Sequence, residues 1–186
     1  VSHCLTPHQV KTLRSAADAA WQRGLPLNRH VTIHWQRQGV PDGKGAAATG
    51  TFLRMVRDWL RKLGQRTAWV WVRENGPAKG AHVHIALHIP AGVPWRFGRA
   101  RRWIKRISGR RYVARAIRTT RVAGHVNAAL VSPDHYAANL AGLLTYMTKG
   151  AAGGGVVVGK RCGHSQNLGR AALERRGDTG DNRVNA

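Results

Sequence analysis

An α+β fold with an antiparallel sheet is predicted by three features of the sequence. Residues 29–37 and 81–89 alternate apolar and polar side chains with a period of two, the pattern of strands buried on one face. The run Asn75-Gly76-Pro77-Ala78-Lys79-Gly80 is dense in turn formers and joins the second of these segments to a preceding strand-like stretch, which makes a hairpin. Around the strands lie apolar stripes at helical spacing, one of them opened by a Thr-Pro cap.

The first helix starts at Thr6-Pro7, carries Val10, Leu13, Ala17, Ala20 and Trp21 on one stripe, and stops at Gly24-Leu25-Pro26. A strand then runs over 29–37, with Val31, Ile33 and Trp35 on one side and His30, Thr32, His34 and Gln36 on the other. Pro41 to Gly50 is rich in Gly and Ala and is expected to be a mobile loop. A helix is expected from Thr51 to Leu63, with Phe52, Leu53, Val56, Trp59, Leu60 and Leu63 inward and Arg54, Arg57, Arg61 and Lys62 largely outward. Strand two is Thr67 to Glu74, and strand three is the histidine segment across the turn. Pro94 to Ile107 reads as a basic helix bearing Arg96, Arg99, Arg101, Arg102, Lys105 and Arg106. Arg111–Arg118 and Arg121–Leu130 read as one or two further strands. Ser132-Pro133-Asp134 opens a last helix that runs to Lys149 and is stopped by Gly150. The glycine run at 153–155 marks the expected division between a domain of 1–150 and a Gly-rich, then basic and polar, tail of 151–186.

The chain has 186 residues, enough for one domain with a real core. Its charge is the outlier: 31 Lys and Arg against 8 Asp and Glu give a net +23. Such a field repels itself unless a polyanion neutralises it, so nucleic acid is the expected partner. A membrane surface fits less well, because no long apolar run or lysine-rich amphipathic anchor occurs. Cys4 and Cys162 are far apart and form no CxxC, which argues against a disulfide framework or zinc ribbon. With no signal-peptide pattern before the first helix, a cytoplasmic location is expected.

Chemistry concentrates in two places. On the strand Ala81–Ile89, His82, His84 and His88 share a face opposite Val83, Ile85, Leu87 and Ile89. Histidines at i and i+2 lie about 7 Å apart at Cα, so both rings can lean toward one metal ion. Glu74, the last residue of the preceding strand, falls beside His82 if the turn is short, although Lys79 could instead partner it as a solvated carboxylate. Two imidazoles and a carboxylate suit a divalent ion with open positions. His88 lies further down the same face, beyond reach of the ion, and is expected either to support the ligands from outside or to be a buried polar residue. The second place is Tyr146-Met147-Thr148-Lys149, where i,i+3 spacing puts a phenol and an ammonium on one helix face. A neighbouring cation eases phenolate formation and can stabilise charge on a phosphoryl group. Tyr136 points about 80° away around the same helix and is expected to pack structurally.

A His-hydrophobic-His strand followed by a helix with Tyr-x-x-Lys resembles the HUH endonucleases. The order of the two motifs is similar to the rolling-circle replication initiators (Rep proteins) of plasmids and phages, and His30-Val31-Thr32-Ile33-His34-Trp35 falls where that family carries its first motif. The resemblance covers about residues 28 to 150. It implies an RRM-like or ferredoxin-like palm with the tyrosine helix laid across the histidine face. It further implies Mg²⁺ or Mn²⁺ held by His82, His84 and Glu74, with Tyr146 as nucleophile and Lys149 as its helper. The activity implied is nicking and joining of single-stranded DNA at an origin hairpin through a 5′-phosphotyrosine. The basic segment 94–107 and His34 are expected to contact that DNA. No GxxxxGKS motif is present in the sequence, so a host helicase and polymerase are expected partners.

Two other readings stay open. His30-Val31-Thr32 and His82-Val83-His84 loosely resemble the paired His-x-Thr strands of 2H phosphoesterases, which cleave RNA-type phosphodiesters without metal. The +23 charge also suits a non-catalytic nucleic-acid-binding module.

Overall fold

The structure, a computed structural model, describes residues 1–123, 125–126, 129–130, 132–149 and 153–169. Helix α1 (Pro7–Gln22) begins at a reciprocal capping box: Gln9 N donates to Thr6 Oγ1 at 3.2 Å, and Thr6 N donates to Gln9 Oε1 at 2.9 Å. There follow β1 (Arg29–Ile33), α2 (Asp42–Arg61), β2 (Trp69–Gly76), β3 (Gly80–Leu87), α3 (Phe97–Ser108) and β4 (Ile117–Arg121). A short hairpin of β5 (His125–Val126) and β6 (Ala129–Leu130), helix α4 (Pro133–Thr148) and β7 (Cys162–His164) complete the order.

The main sheet runs β4-β1-β3-β2-β7, with every neighbouring pair antiparallel. Its β1-α2-β2-β3-α3-β4 portion is the β-α-β-β-α-β arrangement of ferredoxin-like folds. The expected α+β class and antiparallel palm are therefore observed.

Strand alternation gives the sheet two apolar faces, each with its own core. Val31, Ile33, Val83, Ile85 and Leu87 pack against Phe52, Val56 and Leu60 of α2 and Ile104 of α3. On the other side Val70, Val72 and Ala86 join Leu13 and Ala17 of α1 with Leu140, Leu144 and Met147 of α4. The polar residues His30, Thr32, His82 and His84 belong to this second side, so α4 crosses the histidine face.

Several expectations need correction. Strand β1 ends at Ile33, not at 37, because the chain turns at Trp35–Gly39. Trp35 remains inward, its indole N–H bonded to Thr49 Oγ1 at 2.9 Å. Gln36 laps onto the start of β3, accepting from Ala81 N at 2.9 Å. Gly80 makes room for that contact: its φ is +62°, and a Cβ there would lie 2.3 Å from Gln36 Oε1.

The expected loop at 41–50 is instead the first half of α2. Ala46, Ala47 and Ala48 are strong helix formers, and a buried anchor holds the N-terminus. Arg73 of β2, 1% exposed, pairs with Asp42 and donates to Val158 O and Lys160 O at 3.0 Å. Burial lowers the Arg73 pKa, and Asp42 opposes that shift. The strand expected over 111–118 is displaced to Ile117–Arg121, because Ile117 enters the core opposite Ile33 while Val113 is exposed. The strand expected over 121–130 is only the β5–β6 hairpin among the described residues.

Residues 153–169 are not a tail. Strand β7 extends the sheet, pairing Val70 with His164 and Val72 with Cys162. Gly155, at φ +71°, sits so close to β2 that a Cβ would meet Asn75 O at 2.0 Å. The glycine run thus permits close backbone approach rather than marking a linker. Asn75 N donates to Gly154 O at 2.8 Å and Arg73 N to Arg161 O at 2.7 Å. Residues 170–186, expected to be basic and polar, lie outside the described residues. Among the described residues no helix is long and apolar enough to cross a membrane.

Candidate active site

The β2–β3 hairpin sets Glu74 directly opposite His82 and Val72 opposite His84. On the other flank of β3, Thr32 lies opposite His84. Period-two alternation sends Glu74, His82 and His84 to the α1/α4 side, and each is buried. One ligand atom from each lies within 4.8 Å of the others, and His82 Nε2 is 3.5 Å from Glu74 Oε2.

The free valences of these groups converge. Glu74 Oε1, His82 Nε2 and His84 Nε2 are buried without a hydrogen-bond partner. Burial of an unmatched polar atom costs about 1–3 kcal/mol, and these three residues could together hold a metal ion. The other ring nitrogens are engaged. His82 Nδ1 lies 2.7 Å from Gly80 O, which fixes Nδ1 as the donor and leaves the Nε2 lone pair free. His84 Nδ1 lies 3.1 Å from His30 Nε2 and 3.2 Å from Thr32 Oγ1. Such outer contacts orient metal-binding imidazoles. Burial, aided by the charges of His82, His30, Lys149 and Lys79, pushes the His84 pKa down to about 2. Burial and Arg118 push His30 down to about 4. Both rings therefore stay neutral, as ligation requires. The donor set fits a divalent cation: two imidazoles and one carboxylate, with room left on the cleft side.

Helix α4 brings Tyr146 to this cluster. Its ring meets His84 edge-on at 5.1 Å between centroids and His30 at 6.0 Å, and the residue is 36% exposed. Lys149 Nζ sits 4.1 Å over the Tyr146 ring, against the face of the ring in a cation–π contact. The histidine pair, Glu74, Tyr146 and Lys149, separated in sequence, thus form one constellation. A cleft opens there, lined by His34, Lys79, Arg118, Thr120 and Asn139 as well as the histidines and Tyr146. His34 stacks on His82 at 5.3 Å. A second recess, lined by Glu74, Lys79, Lys149 and Gly154, adjoins the cluster through His82.

The other sequence-selected residues fall elsewhere. His88 is buried, with Nδ1 2.8 Å from Pro26 O. Tyr136 is buried against Trp21 at 5.3 Å, and burial raises its phenol pKa well above the usual value. The basic residues of α3 do not join the cluster, because α3 packs on the opposite side of the sheet. Two of them are committed to aromatic faces: Arg99 lies 4.2 Å over Trp59, and Arg101 lies 4.4 Å over Phe97. Arg96, Arg102, Lys105 and Arg106 are exposed on that side.

Sequence reasoning missed Arg118 as part of the site, and it picked out His30 and Thr32 only through the His-x-Thr resemblance and the first-motif segment. Arg118 stands opposite Thr32 in the β1–β4 ladder, and the misplaced strand hid that register. Thr32 and His30 lie on the polar face of β1, so alternation was the other available signal. A scan against protein-family models finds no match, and neither do searches of curated proteins and of solved structures.

Proposed function

We propose that this protein is a metal-dependent, single-stranded DNA endonuclease and strand transferase of the HUH type that nicks a replication origin. The observation that carries the reading is the convergence of the unpartnered Glu74, His82 and His84 ligand atoms beside Tyr146. Mg²⁺ or Mn²⁺ held there would supply Lewis acidity at a scissile phosphate. Lys79 and Arg118 bring positive charge to the same cleft for the flanking phosphates.

In this reading the Tyr146 oxygen attacks phosphorus and its proton passes to solvent. The P–O3′ bond breaks, the 3′ oxygen leaves with the electron pair and takes up a proton, and a 5′-phosphotyrosine remains. Attack by a 3′-OH on that link rejoins the strand. Lys149, whose Nζ lies against the Tyr146 ring, would bring positive charge beside the phosphoryl group under attack. The partners that follow are single-stranded DNA at an origin hairpin and a host helicase and polymerase. Incubation with a pool of single-stranded oligonucleotides and Mn²⁺ tests the reading. A denaturation-resistant adduct mapped to Tyr146 and lost in Tyr146→Phe supports it; an adduct that survives Tyr146→Phe refutes it.

The 3.1 Å contact between His30 and His84, with Thr32 alongside, favours one second reading. It is a metal-free 2H-type phosphoesterase acting on RNA. Chelation separates the two, because cleavage that persists in EDTA and bypasses Tyr146 would belong to the second.

A further inference from the structure

The far side of the sheet carries a cleft that the proposed nicking centre does not use. On β2, Val70 and Val72 face α1 and α4, whereas Trp69 and Trp71 face α2 and α3. The cleft lies on the α2 side, over the half-buried Trp69, between α2 and the short 3₁₀ turn Gln166–Leu168. Its wall is Arg54, Arg57 and Arg61, with Arg66 at one end and Gln166 opposite. All four arginines are exposed.

The arginines follow the helix at i, i+3 and i+7, so they form one stripe about 10 Å long. Asp58 lies 3.2 Å from Arg57 and 4.0 Å from Arg61. Exposed ion pairs of this kind are weak, and one carboxylate leaves the stripe strongly positive. Crowded guanidinium groups repel one another until an anion enters. A single small anion would meet only part of a stripe this long, whereas a chain of phosphates can meet all of it. The indole of Trp69 supplies a stacking surface, and the amides of Gln65 and Gln166 supply donors and acceptors for base edges. Charge, length and an aromatic floor together select nucleic acid over an acidic peptide, which would leave the stacking surface unused.

We propose that this cleft binds the phosphodiester backbone of nucleic acid, with a base against Trp69, as a contact separate from the histidine cleft. One molecule would then hold two nucleic-acid segments on opposite faces of its sheet.

The test uses the full chain in EDTA, so that no cleavage is read and the outcome is independent of the Tyr146 adduct. Binding to labelled single-stranded and duplex oligonucleotides is titrated over a series of salt concentrations. The triple variant Arg54→Gln/Arg57→Gln/Arg61→Gln is compared with Lys11→Gln/Lys44→Gln/Arg111→Gln, which removes three exposed charges outside the cleft. Loss of three phosphate contacts lowers the slope of log K against log salt by about 2.7 on duplex or about 2.1 on single strands. The oligonucleotide that shows the loss identifies which form the cleft holds. Trp69→Leu is expected to weaken binding by roughly tenfold or more with the slope unchanged. Asp58→Asn, a single change on the exposed helix surface, is expected to tighten binding, and it decides the matter if the triple variant does not fold. A slope loss in the cleft variant no greater than in the scattered variant, or no tightening in Asp58→Asn, overturns the proposal.

Discussion

Adding Mn²⁺ to metal-free protein is expected to raise its melting temperature substantially. Three ligand atoms, Glu74 Oε1, His82 Nε2 and His84 Nε2, are buried without partners. At about 1–3 kcal/mol each, leaving three such atoms unsatisfied would cost about 3–9 kcal/mol, which a bound cation would relieve. That relief favours binding to the folded chain alone, because the unfolded chain does not hold the three groups together. At a hundred times the dissociation constant, such binding adds about 2.7 kcal/mol of stability. For a chain of this size each kcal/mol shifts the melting point by about 2–4 °C, so the rise should be about 5–11 °C. Scanning calorimetry in EDTA and then in excess Mn²⁺ measures it, with each variant's own metal-free curve as reference. His84→Ala and His82→Ala should each abolish most of the shift. If wild type and His84→Ala respond to Mn²⁺ alike, the three atoms do not form a metal site and the reasoning fails.

Three further outcomes follow. Thr32→Val removes the 3.2 Å contact to His84 Nδ1 while keeping the volume; Mn²⁺ affinity should fall about 10–100-fold by calorimetric titration. The folded pKa of His30 is depressed to about 4 and that of His84 to about 2, against about 6.5 in the unfolded chain. Below pH about 6.5 the unfolded chain therefore binds protons that the fold refuses. Stability is full above that pH and falls by about 1.4 kcal/mol per pH unit per histidine as pH drops toward the folded values; urea midpoints that are flat from pH 7 to pH 5 would contradict this. Asp42→Asn strips the charge partner of the buried Arg73. It should cost about 3–5 kcal/mol in urea unfolding, whereas Asp42→Glu should retain part of it.

Local pattern made some of this architecture readable in advance. The β2–β3 register needed only alternation and a short turn, and those place Glu74 opposite His82. The Thr6 cap of α1 likewise depends on residues within one helical turn. What escaped was set by distant contacts. Residues 42–50 became helix because Arg73 and Val158 N, both far along the chain, meet Asp42. The segment Cys162-Gly163-His164 has no strand pattern of its own; it pairs because β2 offers an open edge. Helical periodicity put Tyr146 and Lys149 on one face, but only the packing of Leu140, Leu144 and Met147 directs α4 over the histidines. It also places Lys149 above the ring, which i,i+3 spacing alone does not determine.

The segment from Gly154 to His164 alters the status of the strand that carries Glu74. With the segment in place, β2 is an interior strand, gripped by β3 on one side and by Gly154, Arg161 and β7 on the other. A chain ending before the glycine run would leave β2 as the sheet margin, with Arg73 lacking the Val158 and Lys160 carbonyls and a row of backbone groups open to other strands. The carboxylate of the cluster would then stand on a margin free to fray and twist, while the two histidines stayed on an interior strand. Residues 154–164 therefore support the site as much as the sheet, although they are about as far from the histidine pair in sequence as the first helix is.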